Sequence, residues 1–203
     1  MVRETPRSRA GNTRNDPSAP ILIMGGSYAK RSATTVLMSY TAKLCEERGM
    51  AYQLLPLGAL ELPFYHPDLH AETCPPAEFL LDACRAARAF VWCTPSYHYS
   101  ISGAFKNAID FLELTADDDP PYLGGRLVGL VATSSGPIAA VHAIGAMEQI
   151  VHALRGYVVP ATAPIGPIKA AVDAEAGVIK EERTKVKLVQ MIDEMRDALA
   201  ARV

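Results

Sequence analysis

The apolar positions of this chain fall into short, mostly apolar runs, separated by longer stretches in which apolar residues recur with helical period. The runs are residues 20–24, 51–56, 89–94, 126–133 and 156–160, and each reads as a strand. The continuous run at 20–24 is expected of a strand buried on both faces, the situation of a parallel sheet flanked by helices. Between them the spacing changes. Leu37, Tyr40 and Leu44 repeat on one face, and Pro75-Pro76 opens a helix to about Ala87 with Phe79, Leu80 and Ala83 inward. Phe105, Ile109 and Leu112 follow at i, i+4 and i+7. A helix beginning near Ala139 carries Ile144, Met147, Val151 and Leu154, and residues 181–200 carry Leu188, Ile192, Met195 and Leu199. Strands alternating with helices predict an α/β domain over residues 20–203, a three-layer α/β/α sandwich on a five-stranded parallel sheet. Residues 1–19 show no periodicity and predict a disordered N-terminal tail.

Composition narrows the function classes. A chain of 203 residues can bury a full core as one domain. Its net charge of −2 offers no electrostatic footprint for nucleic acid or an anionic membrane surface. No apolar run approaches the length of a membrane span. Cys45, Cys74, Cys84 and Cys93 lack CxxC or zinc-finger spacing and read as reduced, mostly buried thiols of a cytoplasmic protein. His66, Asp68 and His70 flank Pro67 on a loop without the one-face geometry of a helical metal motif, which favours a surface or subunit-contact loop over a metal site.

The candidate chemistry sits at three strand tips. After the first strand come Gly25, Gly26, Ser27, Lys30, Arg31, Ser32, Thr34 and Thr35. Hydroxyls, two cations and the free N–H groups of a new helix suit a phosphate, although neither GxGxxG nor a P-loop is present; a hydroxyl-rich helix cap is the competing reading. After the third strand, residues 94–107 combine Pro95, Ser96, Tyr97, His98 and Tyr99, more aromatic and polar character than a chain reversal needs. After the fourth come Ser134, Ser135 and Gly136, small residues that permit close backbone approach to a flat ring; a plain helix cap is the competing reading. In an open parallel sheet such tips converge on one edge, where ligands bind.

The run from Thr94 through Pro95-Ser96-Tyr97-His98-Tyr99-Ser100-Ile101-Ser102-Gly103-Ala104-Phe105-Lys106-Asn107-Ala108-Ile109 to Asp110 resembles the "TPEYN-S-PG-LKN-ID" signature of the NADPH-dependent FMN reductase family. The first loop is similar to that family's "GS-R--S-N" phosphate loop, departing from it at Ala29 and Thr34. Residues 61–70 resemble its "LPLYN-DL" connection. The resemblance covers residue 21 to about residue 160. It implies a flavodoxin-like fold and FMN as cofactor. The FMN phosphate is then expected on Ser27, Lys30, Arg31, Ser32, Thr34 and Thr35, and its ring between Pro95, Ser96, Tyr97, His98 and Ser134, Ser135, Gly136.

The activity implied is ping-pong transfer from NADPH or NADH through FMN to a flavin, quinone, azo compound, metal oxyanion or other small-molecule acceptor. No catalytic side chain is demanded. A dedicated FMN-dependent oxidase of one metabolite, or a flavodoxin-like electron carrier, are the alternatives; Lys30-Arg31 and the modest net charge count against the carrier. The resemblance also implies a homodimer or homotetramer, with the 61–70 loop and the helix after Gly103 as candidate contacts.

Overall fold

The computed structural model describes residues 15–25, 27–29 and 31–202. The expectations for residues 1–14 and for Lys30 lie outside the described residues.

β1 (Ile21–Gly25) is the axis of the sheet. Its four apolar residues are fully buried, because β2 (Tyr52–Pro56) and β3 (Ala89–Tyr97) pair with it on either side, both parallel: Ile21 opposes Tyr52 and Ala89. β5 (Leu127–Thr133) continues the sheet beside β3, with Ala89 opposite Leu127 and Pro95 opposite Thr133. The strand order β2-β1-β3-β5-β6, with β6 at Tyr157–Val158, reverses direction between β1 and β3, the switch point at which such sheets open a crevice.

Alternate strand residues serve two cores. Leu22, Met24, Phe90, Trp92, Val128 and Leu130 pack under α2 (Pro75–Ala86), α3 (Gly103–Asp110) and α4 (Pro137–Ala153). Ile21, Ile23, Val91, Cys93 and Val131 pack under α1 (Ala33–Glu47) and α6 (Glu182–Ala200). All four cysteines are buried free thiols.

The fold is the expected one, with a sheet richer than five strands. Seven strands take part. The fifth position is divided: β6 (Tyr157–Val158) pairs with the start of β5, and β7 (Ala163–Ile165) with its end. Pro160 has no N–H to continue the ladder, and the N–H of Ala161 turns away to Glu194 Oε2 at 2.8 Å. The connection after residue 160, which has no strand in the sequence pattern, therefore contains one. β3 also runs three residues past Thr94 and folds back antiparallel on β4 (Ser100–Ile101). After a short helix, α5 (Ile168–Ala171), comes a small hairpin of β8 (Val172–Asp173) and β9 (Val178–Ile179) that the sequence pattern did not indicate.

Gly25 ends β1 at φ 136°, and a Cβ there would lie 1.8 Å from the carbonyl oxygen of Cys93. Only glycine lets the first loop leave the sheet this close to β3.

Candidate functional site

Three loops meet at the carboxyl edge of the sheet, and hydrogen bonds between them set their positions. Thr34, at the start of α1, brings its hydroxyl to 3.3 Å from that of Thr133 at the end of β5. The Cys93 thiol in mid-β3, level with the end of β1, lies 3.7 Å from the Thr34 carbonyl oxygen. Ser96 donates its hydroxyl proton to the Ala139 carbonyl at 3.0 Å, tying the β3 tip to the first turn of α4. Burial pushes the Cys93 thiol far above its ordinary range, so it stays protonated and acts as packing rather than as a nucleophile.

The first loop keeps most of its polar groups outward. Ser32 caps α1, accepting from the Thr34 N–H at 3.2 Å. Ser27 accepts from the Ala29 N–H at 3.2 Å and is half-buried; Thr35 is exposed. Arg31 is exposed and pairs with Glu175, which stands in the β8–β9 turn. Asp173 shapes that turn by accepting from the N–H groups of Glu175 and Ala176, at 3.1 and 3.0 Å. Thr34 differs from its neighbours. It is 2% exposed and engaged with Thr133, so its hydroxyl holds the scaffold rather than facing the edge.

The second loop is built as a tight hairpin. Ser96 opposes Ile101 and Tyr97 opposes Ser100, leaving His98 and Tyr99 as the two turn residues. Both adopt positive φ, 50° and 66°. This is the left-handed geometry a two-residue hairpin requires and that Asn-Gly would adopt more easily, so the backbone here is held under strain. Buried contacts hold it. Thr94 Oγ1 accepts from the Ser102 N–H at 3.2 Å, and Ser102 caps α3 by accepting from the Phe105 N–H at 3.2 Å. The Tyr99 ring meets His142 of α4 edge-on, with centroids 5.3 Å apart. Tyr97 and Tyr99 remain 57% and 58% exposed. Pro95 and Ser96 are half-buried, and His98 is exposed.

In the third loop, Ser134 is buried. Its N–H donates to the Ile165 carbonyl at 3.0 Å, its own carbonyl accepts from Ile168, and its hydroxyl bonds the Gly136 carbonyl. Ser135 is exposed and Gly136 half-exposed at the cap of α4, which begins at Pro137, two residues earlier than the periodicity suggested.

A family model for NADPH-dependent FMN reductases matches residues 19–169. The chain belongs to that family. Among its relatives, the quinone reductase of Escherichia coli is 32% identical over 167 residues, which are 81% of this chain and 86% of that protein. The probable NADPH:quinone oxidoreductase 2 of Oryza sativa subsp. japonica is 30% identical over 118 residues, 57% of this chain and just over half (56%) of the rice protein. Among solved structures, FerB, a flavoenzyme NAD(P)H:(acceptor) oxidoreductase from Paracoccus denitrificans, superposes with a TM-score of 0.72 at 26% identity, covering 91% of this chain and 98% of that one.

The family's cofactor is FMN, and the donor set fits it. The hydroxyls of half-buried Ser27 and Ser32 and of exposed Thr35, the exposed Arg31 guanidinium and the N-terminus of α1, whose Thr34 N–H Ser32 caps, fit a phosphate dianion. Among the described residues, no atom beyond Gly136 and its two chain neighbours lies within 4 Å of where a Cβ on Gly136 would stand, which leaves room for a flat ring there. Three contributors went unread in the sequence: Thr94, Ser102 and Asn107. Ser102 was legible as a serine directly preceding a helix. Thr94 and Asn107 stand in the 94–110 signature, but the contacts they make, Thr94 accepting from the Ser102 N–H and Asn107 Oδ1 from the Tyr65 N–H at 2.9 Å, leave no local signal.

Proposed function

We propose that this chain is a cytoplasmic FMN-dependent NAD(P)H oxidoreductase that reduces small acceptors, quinones first among them. One observation carries the reading: an outward-facing phosphate set and a strained aromatic hairpin share the switch-point edge of the sheet. The names of the quinone-reducing relatives support the acceptor class.

Bound FMN supplies the two-electron chemistry; the protein supplies binding and orientation. Ser27, Ser32, Thr35 and the α1 N-terminus, with Lys30 and Arg31, hold the phosphate. Pro95, Ser96, Tyr97 and His98 form one wall for the ring, with Ser135 and Gly136 opposite. Thr34 and Ser134 work from behind, each fastening one loop to β5 or β7. NADPH and NADH are both admitted as donors, and no side chain is assigned as acid or base.

We further propose a homodimer or homotetramer. Exposed Ile138 and Val141 on α4, on the helix face that Tyr99 reaches through His142, form the apolar patch that supports it. Among the described residues no helix is long and apolar enough to cross a membrane.

The deciding experiment is anaerobic stopped-flow mixing of FMN-loaded protein with NADPH, then NADH, followed by a quinone. Loss of oxidised-flavin absorbance with either nucleotide and its return with the quinone is the expected result. Flavin that binds but stays oxidised with both nucleotides overturns the reductase reading.

A further inference from the structure

The fifth position of the sheet is its least continuous, and the third loop is built on it. β7 has three residues, and among the described residues it pairs with β5 alone, Ala163 opposite Val131 and Ile165 opposite Thr133. The Ser134 N–H donates to the Ile165 carbonyl at 3.0 Å, and the Ile168 N–H donates to the Ser134 carbonyl at 2.9 Å. Gly166 lies between these two bonds. A Cβ there would stand 2.7 Å from the Gly136 carbonyl oxygen and 2.9 Å from Ser134 Oγ. Residues 134–136 therefore rest directly on residues 165–168, and close packing passes a shift of β7 on to Gly136.

The side chains that hold β7 come from α6. Lys187 is half-buried and donates its Nζ to the Pro164 carbonyl at 2.6 Å. Two turns further on, Glu194 Oε2 accepts from the Ala161 N–H at 2.8 Å, and Glu194 Oε1 accepts from Gln190 Nε2 at 3.1 Å. Lys187, Gln190 and Glu194 stand at i, i+3 and i+7, one stripe of the helix. Beside them Leu188, Met191, Ile192 and Met195 enter the core. A cation meets a backbone carbonyl and a carboxylate meets a backbone N–H, so both bonds are charge-assisted and stronger than neutral ones.

Burial and the neighbouring Arg183 hold the Lys187 ammonium below the ordinary lysine range, with Glu181 opposing them. The charge is thus kept half-buried at some cost, and its bond is to a neutral carbonyl. The whole of α6 lies beyond residues 19–169, the span of the family match.

We infer that Lys187 and Glu194 are positioning residues for the flavin ring, acting from α6 through β7 and Gly166 on residues 134–136. The inference rests on the proposed placement of the ring beside Ser135 and Gly136, and it deepens that reading by putting the hold on this wall in the C-terminal helix.

The test uses full-length protein. Lys187→Met keeps the stem and loses the donor, and Lys187→Arg keeps a donor. In FMN-free protein, amide hydrogen exchange at Ser134 and Ile168 should quicken about three- to tenfold in Lys187→Met, the worth of one hydrogen bond. It should return towards wild type in Lys187→Arg. FMN affinity should fall by a similar factor, and riboflavin, which has the ring without the phosphate, should lose as much as FMN. Leu199→Ala removes buried core near the C-terminus of α6 and separates positioning from stability. It should lower the urea midpoint more than Lys187→Met does and leave flavin affinity unchanged. Gly166→Ala presses on the Gly136 carbonyl and should weaken FMN at least as much, so the seat is tested even if Lys187→Met fails to fold. Unchanged exchange at Ser134 and Ile168, an FMN loss that riboflavin does not share, no recovery with arginine, or an equal flavin loss in Leu199→Ala each overturn the inference. If wild-type protein binds no FMN, the proposed function falls instead, while exchange at Ser134 and Ile168 still judges the hold of Lys187 on the loop.

Discussion

The two loops that flank the switch point are built on opposite principles. The loop after β3 satisfies itself: Thr94 and Ser102 exchange buried hydrogen bonds, Ser96 fastens to α4, and the β3–β4 pairing closes the hairpin over two residues at positive φ. The loop after β1 does the reverse. Its hydroxyls at Ser27 and Thr35 and the Arg31 guanidinium face outward, and its anchors are Gly25 against Cys93, the Ser32 cap and buried Thr34. A wall for a flat ring must hold its shape before the ring arrives. A phosphate cradle must keep donors within reach of an anion, free or held only by an exposed pair such as Arg31–Glu175, because a donor paired and buried inside the protein gains little from a new partner.

Four variants test this contrast, beginning with the largest effect. Ser27→Ala combined with Thr35→Ala should weaken FMN binding at least about tenfold, since hydrogen bonds to a charged group are lost. Unfolding of the FMN-free protein should be nearly unchanged, as Thr35 is exposed and the Ser27 hydroxyl makes only a local bond to the Ala29 N–H; a flavin titration and a urea melt read the two quantities.

Ser102→Ala should act the other way, costing about 1–2 kcal/mol of stability through loss of the α3 cap and the Thr94 contact. A urea midpoint equal to wild type would show that the second loop is not held by these groups.

His98→Asn with Tyr99→Gly relaxes the left-handed turn and should stabilise the protein by roughly 1 kcal/mol. Catalytic efficiency should fall as the aromatic wall is removed, a trade of stability against function. A lowered melting temperature would mean that the Tyr99–His142 contact outweighs the strain.

The smallest effect belongs to Glu175→Gln. Glu175 is an exposed carboxylate already paired with Arg31, and such pairs are worth little in water. Releasing Arg31 should tighten FMN by less than about fivefold, and the gain should vanish at high salt as screening grows. A loss of affinity would mean that Glu175 holds Arg31 in its binding position.

Much of this was legible in the chain. Strands buried on both faces announce themselves as mostly apolar runs, and β1, β3 and β5 fall where those runs predict. The long 94–110 run carried the family resemblance. The sequence also placed Ser27, Arg31, Ser32 and Thr35 on one loop and Tyr97 and His98 on another, and so supplied the chemistry of the edge. Ser102 could have been read as a cap.

What the sequence left open depends on contacts between distant segments. Thr34 and Thr35 are adjacent and chemically alike, yet one hydroxyl turns inward to Thr133 and the other faces solvent; only the rotation of α1 on the sheet separates them. Pro160 reads as a strand end, and its consequence, a fifth strand divided between β6 and β7, depends on β5 being long enough to pair with both. Tyr97-His98-Tyr99-Ser100 contains no Asn-Gly, so its tight turn is imposed by the contacts around it and not by local preference. Asn107 gives no sign in the sequence of clasping residues 63 and 65, more than forty positions earlier. Periodicity and residue type are local properties, and they determined the strands, the layers and the stock of chemical groups. Which of those groups are engaged within the fold and which are left for a ligand was decided by long-range packing.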